Sequence, residues 1–386
     1  MSEEKLVPKL RFEYWRKPWK ISLLKNICDV VMGQSPSSKN YTTNPNDTVL
    51  IQGNADLKNG KITPKIFTKE ITKKSKLGDI ILTVRAPVGS LAINKYDACI
   101  GRGVCLIRSD NNKFLYYLLK RMKENHTWEK LSQGSTFESI NSTDIKQLKI
   151  KIPSKEEQEK IANFLSFIDK QIELLANIYN LYQNFKKGLL QQIFTQKLQF
   201  ANFKIEYASE KVGKYLIESK ISGVDDINRR LTVKLNLNGI FPRETLAVEK
   251  EGSTKQYIRK TGQFIYGKQN LFKGAFGIIP KYLDGYLSSS DLPAFDFKKG
   301  IHPIWFLYYF SRKNFYQKLE NLATGTGSKR VAPNDFLKIK LLVPPLEEQE
   351  KIANFLSAVD KKIDLIQNTI DKMEEFKKGL LQQMFI

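Results

Sequence analysis

Groups able to do covalent chemistry are sparse in this chain. Its 386 residues hold two histidines, His126 in a polar helical stretch and His302 before Pro303, and both are expected to be structural. Cys28, Cys99 and Cys105 cannot all pair and show no CxxC spacing, so reduced core residues are expected rather than a disulfide framework or zinc ribbon. Asp79, Asp144 and Asp335 could be placed in a nuclease-like set, yet no PD-x-(D/E)-x-K spacing accompanies them. A DNA amine methyltransferase needs an N/D-P-P-Y/F loop to hold its target, and the nearest string, NPND at 44–47, lacks the second proline and the aromatic. There is no GxxxxGK[ST] phosphate loop, and GRGV at 101–104 is too short for a dinucleotide fingerprint. The chemistry that the sequence does supply is ionic.

With 63 Lys and Arg against 40 Asp and Glu, the formal net charge is +23, more than solubility requires, which points to a polyanionic partner. Nucleic acid is the first expectation and an anionic membrane surface the competing one. The two long helical segments described below are close to neutral, so no basic amphipathic helix carries the excess and no membrane partner is expected. No apolar run approaches the roughly 20 residues that cross a bilayer. MSEEKLVPKLRFEYW lacks the apolar core of a secretory signal, so a cytoplasmic protein is expected. Hydrophobic content of 41% fits globular units able to bury cores.

The elements that would position these charges are duplicated. EEQEKIANFLS occurs at 156–166 and again at 347–357, and extending the match over 152–194 and 343–385 gives about 26 identities in 43 positions. Apolar residues recur at 4,3 spacing in both copies, from Ile161 to Tyr182 and from Ile352 to Met373, which predicts coiled-coil helices. Strict heptads next reach Lys186 and Lys377, but Phe185 and Phe376 lie one residue earlier, so the register is expected to drift there and resume at Leu189 and Leu380. Ser154 and Glu157 form an S-x-x-E capping box, and Pro345 suits a first helical turn. Gly188 and Gly379 cost about 1 kcal/mol each inside a helix, and close helix approach is favoured over mere tolerance as their reason. Outside the helices KLGDIILTVRAPVGSLAI (76–93) matches KTGQFIYGKQNLFKGAFGII (260–279), FLYYLL (114–119) matches FLYYF (306–310), and GSTFESINSTDIKQLKIKIP (134–153) matches GTGSKRVAPNDFLKIKLLVP (325–344). The order is globe, rod, globe, rod.

GQSPSSKNY (33–41), LTVRAPVG (82–89), QGSTF (133–137) and two copies of P-x-x-EEQ-x-KIA leading into long helices make the chain resemble the specificity subunits of type I restriction and modification systems. The second globe departs from the pattern, with VGKYLIESK (212–220) and YGKQNLFKGAFG (266–277) in place of GQSP and RAPVG. The resemblance covers essentially the whole chain. It implies two α/β (α+β) target recognition domains, 1–152 and 199–343, alternating with antiparallel coiled-coil helical repeats, 153–198 and 344–386, and an internal pseudo-twofold repeat. It implies double-stranded DNA, two methyltransferase subunits and restriction or translocase subunits as partners. No cofactor is expected in this chain, with S-adenosylmethionine, ATP and Mg2+ used by the partner subunits.

Basic globes held apart by stiff helices suit a bipartite DNA site, the helices setting the unread spacer. In the first globe Lys39, Asn40, Tyr41, Gln52, Arg85 and Arg102 are expected at DNA, together with Gln133, Ser135, Thr136 and Phe137, all in polar loops beside strand signals. Lys39 and Asn40 have a competing reading as solvated loop residues, Phe137 as a loop anchor, and Arg85 as the partner of a neighbouring carboxylate. In the second globe Arg229, Arg230, Lys268, Asn270, Ser328, Lys329 and Arg330 have the right chemistry, with surface charge as the alternative. The helical copies also agree at polar positions outside the seam, so Gln158, Lys160, Lys187 and Gln191, with Gln349, Lys351, Lys378 and Gln382, are expected to dock methyltransferase. Recent duplication is the competing account, and an autonomous nuclease or modification enzyme and a basic RNA-binding scaffold are the competing functions.

Overall fold

The structure is a computed structural model that describes residues 6–58, 60–132, 139–200, 207–244, 254–325 and 328–386. The chain divides into two compact units, residues 1–176 with 368–386, and residues 177–367. Each takes in a globe together with part of both long helices.

In the first unit, β1 (Asp29–Met32), β2 (Ile80–Thr83), β3 (Leu91–Ile93) and β4 (Val104–Arg108) form an antiparallel sheet in the order β3-β2-β4-β1. All four residues of β2 are buried because the sheet is covered on both faces. Ile80 and Leu82 join the core beneath α1 (Asn112–Glu124), while Ile81 faces Ile51 and Ile100 of a five-stranded mixed sheet. Cys28, Cys99 and Cys105 are free and buried, as expected. The long helix α2 (Lys155–Phe194) begins here, and its Ile161, Leu165 and Ile168 share a core with Leu380, Leu381 and Met384 from the end of α4 (Leu346–Met384). The start of one helix lies against the end of the other, so they run antiparallel.

The second unit repeats this plan. Strands β5 (Leu216–Ser219), β6 (Phe264–Tyr266), β7 (Phe276–Ile278) and β8 (Ala294–Phe297) take the order β7-β6-β8-β5, the same topology as the first sheet. Phe264 and Tyr266 face the core under α3 (Pro303–Ser311), and Ile265 faces the opposite side. Leu189, Leu190 and Ile193 of α2 pack with Ile352, Leu356 and Val359 of α4. The two β-hairpins expected from the matched words are present and pair alike, with Ile93 opposite Ile80 and Ile278 opposite Phe264. Gly78 and Gly262 begin them with φ of 89° and 85°, where a side chain would be strained.

A polar cluster recurs at the same place in both units. In the first, Tyr117 donates to Asp169 at 2.7 Å and Lys377, 7% exposed, is ion-paired to the same carboxylate. In the second, Tyr308 donates to Asp360 at 2.7 Å and Lys186 pairs with it at 2.5 Å. The expected register drift is therefore absent. Phe185 and Phe376 are 53% and 58% exposed, and the heptad runs on through lysines whose charge is met by aspartate. The clusters also correct the repeat alignment of the FLYY words by one residue, since Tyr117 corresponds to Tyr308 and Phe114 to Trp305. The words matched by composition, but the tyrosine facing the helix decides the register.

The helix starts differ from expectation as well. Ser154 Oγ accepts from Glu157 N at 3.4 Å, but the Glu157 side chain does not complete a capping box. It is buried and accepts from Arg11 Nε and Nη2 at 2.7 Å each, and from Trp19 Nε1 at 3.3 Å. At the second start Pro345 precedes the helix, its carbonyl accepting from Glu348 N and Gln349 N, and Glu348 takes the place of Glu157. Phe12 packs edge-on against Phe164 and Phe200 against Phe355, which aligns Trp19 with Tyr207 and Arg11 with Gln199. Tyr207 donates to Glu348 Oε1 at 2.7 Å, but Glu348 Oε2 is buried without a hydrogen bond. Burial raises the Glu348 pKa above the ordinary carboxylate value. Finally, a Cβ on Gly188 or Gly379 would meet nothing within 4 Å, so close helix approach is not their reason.

Three outcomes follow for stability. Gly188→Ala and Gly379→Ala should each stabilise by about 1 kcal/mol in denaturant titration, since open space lies where the methyl goes. Glu157→Gln should destabilise by about 3 kcal/mol by stranding Arg11, whereas Glu348→Gln should be neutral or stabilising at pH 7. The raised Glu348 pKa means that its contribution is fully present below the unfolded carboxylate pKa and is lost as pH rises through the folded value. Melting temperatures of wild type and Glu348→Gln should therefore diverge as pH rises through and above the carboxylate range, with the variant ahead at neutral pH.

Candidate nucleic-acid interface

Each unit carries a cleft at the same point of its fold. The first is about 480 Å³ and lies between the turn after β2, the end of β1 and residues 139–144. The turn after β2 is closed by Thr83, whose Oγ1 donates to Pro87 O at 2.9 Å and accepts from Ser90 N at 2.8 Å. Gly89, with φ of 81°, lies so near Trp128 that a Cβ would fall 2.7 Å from its ring. Val88, Gly89 and Trp128 are buried, so RAPVG is anchored by its last two residues and exposes Arg85 with Ala86 and Pro87. Arg102 comes from the loop before β4. There Gly33, Gly101 and Gly103 let three backbone segments approach, and Ser35 Oγ accepts from Arg102 N at 3.1 Å. The GQSP motif thus supports the loop that presents an arginine. Arg85 and Arg102 are exposed, line one cleft with Asp144, and pair with no carboxylate among the described residues.

The second cleft is about 270 Å³. The strand registers give Met32 the place of Lys220, Val84 that of Lys268 and Arg102 that of Ser290, and all six line their clefts. Where the first cleft has cations on its loops and apolar side chains at its strand ends, the second has lysines at the strand ends and a serine at the matched loop position. Its floor holds Arg259, 1% exposed, which donates to Ser288 Oγ at 2.6 Å, Ser219 O at 2.9 Å and Leu292 O at 3.2 Å. Burial pushes this guanidinium down to about 10, so it stays charged at neutral pH. Lys220 pairs with Glu218 at 2.9 Å, and Lys268 has no carboxylate partner among the described residues.

The other expected DNA residues divide. Lys39 is exposed on a single helical turn, but Asn40 donates to Glu70 Oε2 at 2.6 Å and holds that loop together. Asn40 and a backbone N–H from Ser37 depress the Glu70 pKa. Tyr41 is half-buried in a strand paired to Thr68, and Gln52 is half-buried, its Nε2 without a hydrogen bond. Gln133, Ser135, Thr136 and Phe137 lie outside the described residues. Arg229 is exposed and donates to Gly285 O at 3.0 Å. Arg230 makes a two-point ion pair with Asp225, and Asn270 sits in the turn after β6. Ser328 is exposed, and Lys329 and Arg330 form exposed pairs with Glu320 at 2.8 Å and Asp291 at 3.1 Å, of small stabilising value. Lys220, Ser219 and Arg259 were missed. The segments around them give no signal, because strand pairing rather than spacing brings them together.

On the helices Lys187, Gln191, Lys378 and Gln382 are exposed, as are Lys351 and Lys160, the latter with its ammonium over Phe12. Gln349 is not available to a partner. It is 1% exposed, accepts from His302 N at 2.7 Å and donates to Pro344 O at 2.9 Å and Gly300 O at 3.2 Å. Gln158 is half-buried and donates to Pro153 O at 3.1 Å. Their repetition reflects this shared chain-turning role. The three carboxylates considered for catalysis serve separate ends: Asp79 pairs with Arg108 at 2.6 Å, Asp144 caps a turn with Asn141, and Asp335 pairs with Lys338 at 3.0 Å. His302 Nδ1 accepts from Trp305 N at the start of α3.

Residues 16–182 and 208–375 each match the family model described as type I restriction modification DNA specificity domain. A putative type I restriction enzyme MjaX specificity subunit of Methanocaldococcus jannaschii is 33% identical over 44% of this chain and 40% of its own length. The type I restriction enzyme MjaIX specificity subunit of the same organism is 30% identical over 50% of this chain and 48% of its own. The matched part therefore spans less than half of each of these two relatives. A crystal structure of a type I restriction-modification system S subunit from M. genitalium superposes with a TM-score of 0.63 at 17% identity, covering 98% of this chain and 99% of that one, a likeness of fold.

The glycine contacts behind the first cleft can be tested directly. A Cβ on Gly103 would fall 2.1 Å from Gln52 O and one on Gly33 would fall 2.2 Å from Gly101 O, whereas one on Gly53 meets nothing within 4 Å. Gly103→Ala and Gly33→Ala should each cost about 1–3 kcal/mol in chemical denaturation, and Gly53→Ala should be tolerated.

Proposed function

The chain belongs to the type I restriction modification DNA specificity family, and from that premise we propose that it is the non-catalytic DNA-reading subunit of a type I restriction-modification enzyme. Its globes, 1–152 and 199–343, act as target recognition domains, each reading one half of a bipartite site. The observation that carries this reading is the pair of equivalent clefts. Both keep an excess of cationic residues, yet the residues that carry it differ at every matched lining position. A common polyanion explains why the charge is retained, and two different half-sites explain why its placement is not. In the first cleft the exposed guanidiniums of Arg85 and Arg102 offer planar donors suited to a guanine edge or a phosphate.

The long helices set the unread spacer and dock two methyltransferase subunits, one for each half-site. Two identical partners need two similar surfaces, and Lys187 and Gln191 on α2 repeat as Lys378 and Gln382 on α4, all exposed. Methylation and cleavage then belong to partner subunits that use S-adenosylmethionine, ATP and Mg2+.

Exchange of residues 1–152 for the equivalent globe of a relative should change one half of the methylated sequence in cells and leave the other half intact, read by methylation mapping. A change in both halves, or in neither, would refute modular reading. Alanine at Lys187, Gln191, Lys378 and Gln382 should weaken capture of methyltransferase in sedimentation or pull-down with the purified subunit, while duplex affinity and melting temperature stay unchanged. Capture of two copies at wild-type affinity would refute the docking surface.

A further inference from the structure

The second cleft has a feature that DNA reading in general does not require. Arg259 is buried, and the three oxygens that accept from it are all neutral. Among the described residues, three cations, Lys220, Arg259 and Lys268, line the cleft with one carboxylate, Glu218, which Lys220 already engages. Beside the guanidinium, Ser219 is 6% exposed and its Oγ has no hydrogen-bond partner. Glu218 and Asp296 lie near enough to favour the charged form of Arg259, but neither forms an ion pair with it among the described residues, and a buried charge so placed is costly, as is an orphaned buried hydroxyl. Both costs fall if an anion with oxygen acceptors occupies the cleft.

The chemistry of that anion follows from the kind of attraction available. Arg259 is too enclosed to touch a base edge, so it acts at a distance, through its charge. DNA bases are neutral and gain little from such a field, whereas each backbone phosphate bears a full negative charge. Lysine, a compact point charge with three rotatable donors, likewise fits a phosphate without demanding the planar geometry of a base. We propose that the second cleft seats one backbone phosphate of the bound duplex, with Lys268 and Ser219 as its contacts and Arg259 as the buried positioning cation that supplies the field. This rests on the DNA-reading function proposed above, and it makes this cleft a register-setting contact rather than a base reader.

Because phosphate contacts are sequence-independent, the test does not need the target sequence. Binding of the purified full chain to two 40-bp duplexes of unrelated sequence would be measured by fluorescence anisotropy from low to moderate salt. Lys268→Gln should reduce the slope of log affinity against log salt by about 0.9 and weaken both duplexes by the same factor. Arg259→Gln should also reduce the slope, with Arg259→Lys restoring most of it, and melting curves would check that each variant is folded. If Arg259→Gln does not fold, Lys268→Gln and Ser219→Ala carry the test, the latter weakening both duplexes equally. Unchanged slopes in variants whose wild type binds duplex would overturn the phosphate seat, as would a loss confined to one duplex, which would mean base reading. Inorganic phosphate is the remaining arm: protection of the wild type by phosphate against heating that depends on Lys268, with no change in duplex slope, would mean a free-anion site and would also overturn it. A wild type that binds neither duplex would instead refute the DNA-reading function itself.

Discussion

An aspartate inside a helix seam, held from two sides, is the contact on which the rest of each unit depends. Asp169 and Asp360 each receive a tyrosine hydroxyl from a globe helix and a lysine from the opposing long helix. One carboxylate therefore ties three elements together. A seam built only from Ile and Leu would tolerate sliding by a heptad, because one apolar layer resembles the next. A half-buried lysine needs its aspartate and would be stranded by any other register, so the polar cluster selects one antiparallel alignment at some expense in raw stability. The first unit adds Lys120, whose pKa burial and the nearby Lys377 ammonium depress.

The globes hang on this contact through α1 and α3, and through the arms that enter at Trp19 and Tyr207. Both arms bring an aromatic donor to a buried glutamate in the first turn of a long helix, where the helix dipole also favours negative charge. The two copies differ in how fully that glutamate is satisfied. Arg11 completes the first, and its aligned position in the second is Gln199. Framework positions have thus stayed alike where they turn the chain and packed the seam, while one copy has lost a strong partner without losing the geometry.

Function lies where framework and variation meet. The β-hairpin, the strand end beside it and the short turn before the long helix build a cleft in each unit by backbone topology alone. Side chains at Met32 and Lys220, or Val84 and Lys268, can then exchange apolar for cationic character without disturbing the sheet, because their backbones are fixed by strand pairing. Such a scaffold can change the chemistry of its cleft while keeping how it holds itself.

The duplication, the two long helices with their seam, the matched β-hairpins and the basic character of the globes are legible along the chain. These features are local or periodic, and apolar spacing and composition report them directly. Arg85 and Arg102 stand among a larger set of loop candidates, because motif loops beside strand signals are visible in one dimension. That Lys186 and Lys377 belong in the seam follows from folding, since their acceptability depends on Asp360 and Asp169, far away in the chain. The same holds for Glu157, whose capping-box spacing was plain but whose carboxylate went to Arg11 and Trp19, and for Gln349, whose repetition suggested a partner but whose amide is used on its own backbone. The second cleft was the least legible part: Lys220, Arg259 and Lys268 come from separate strands and turns, and only sheet pairing places three like charges around one space.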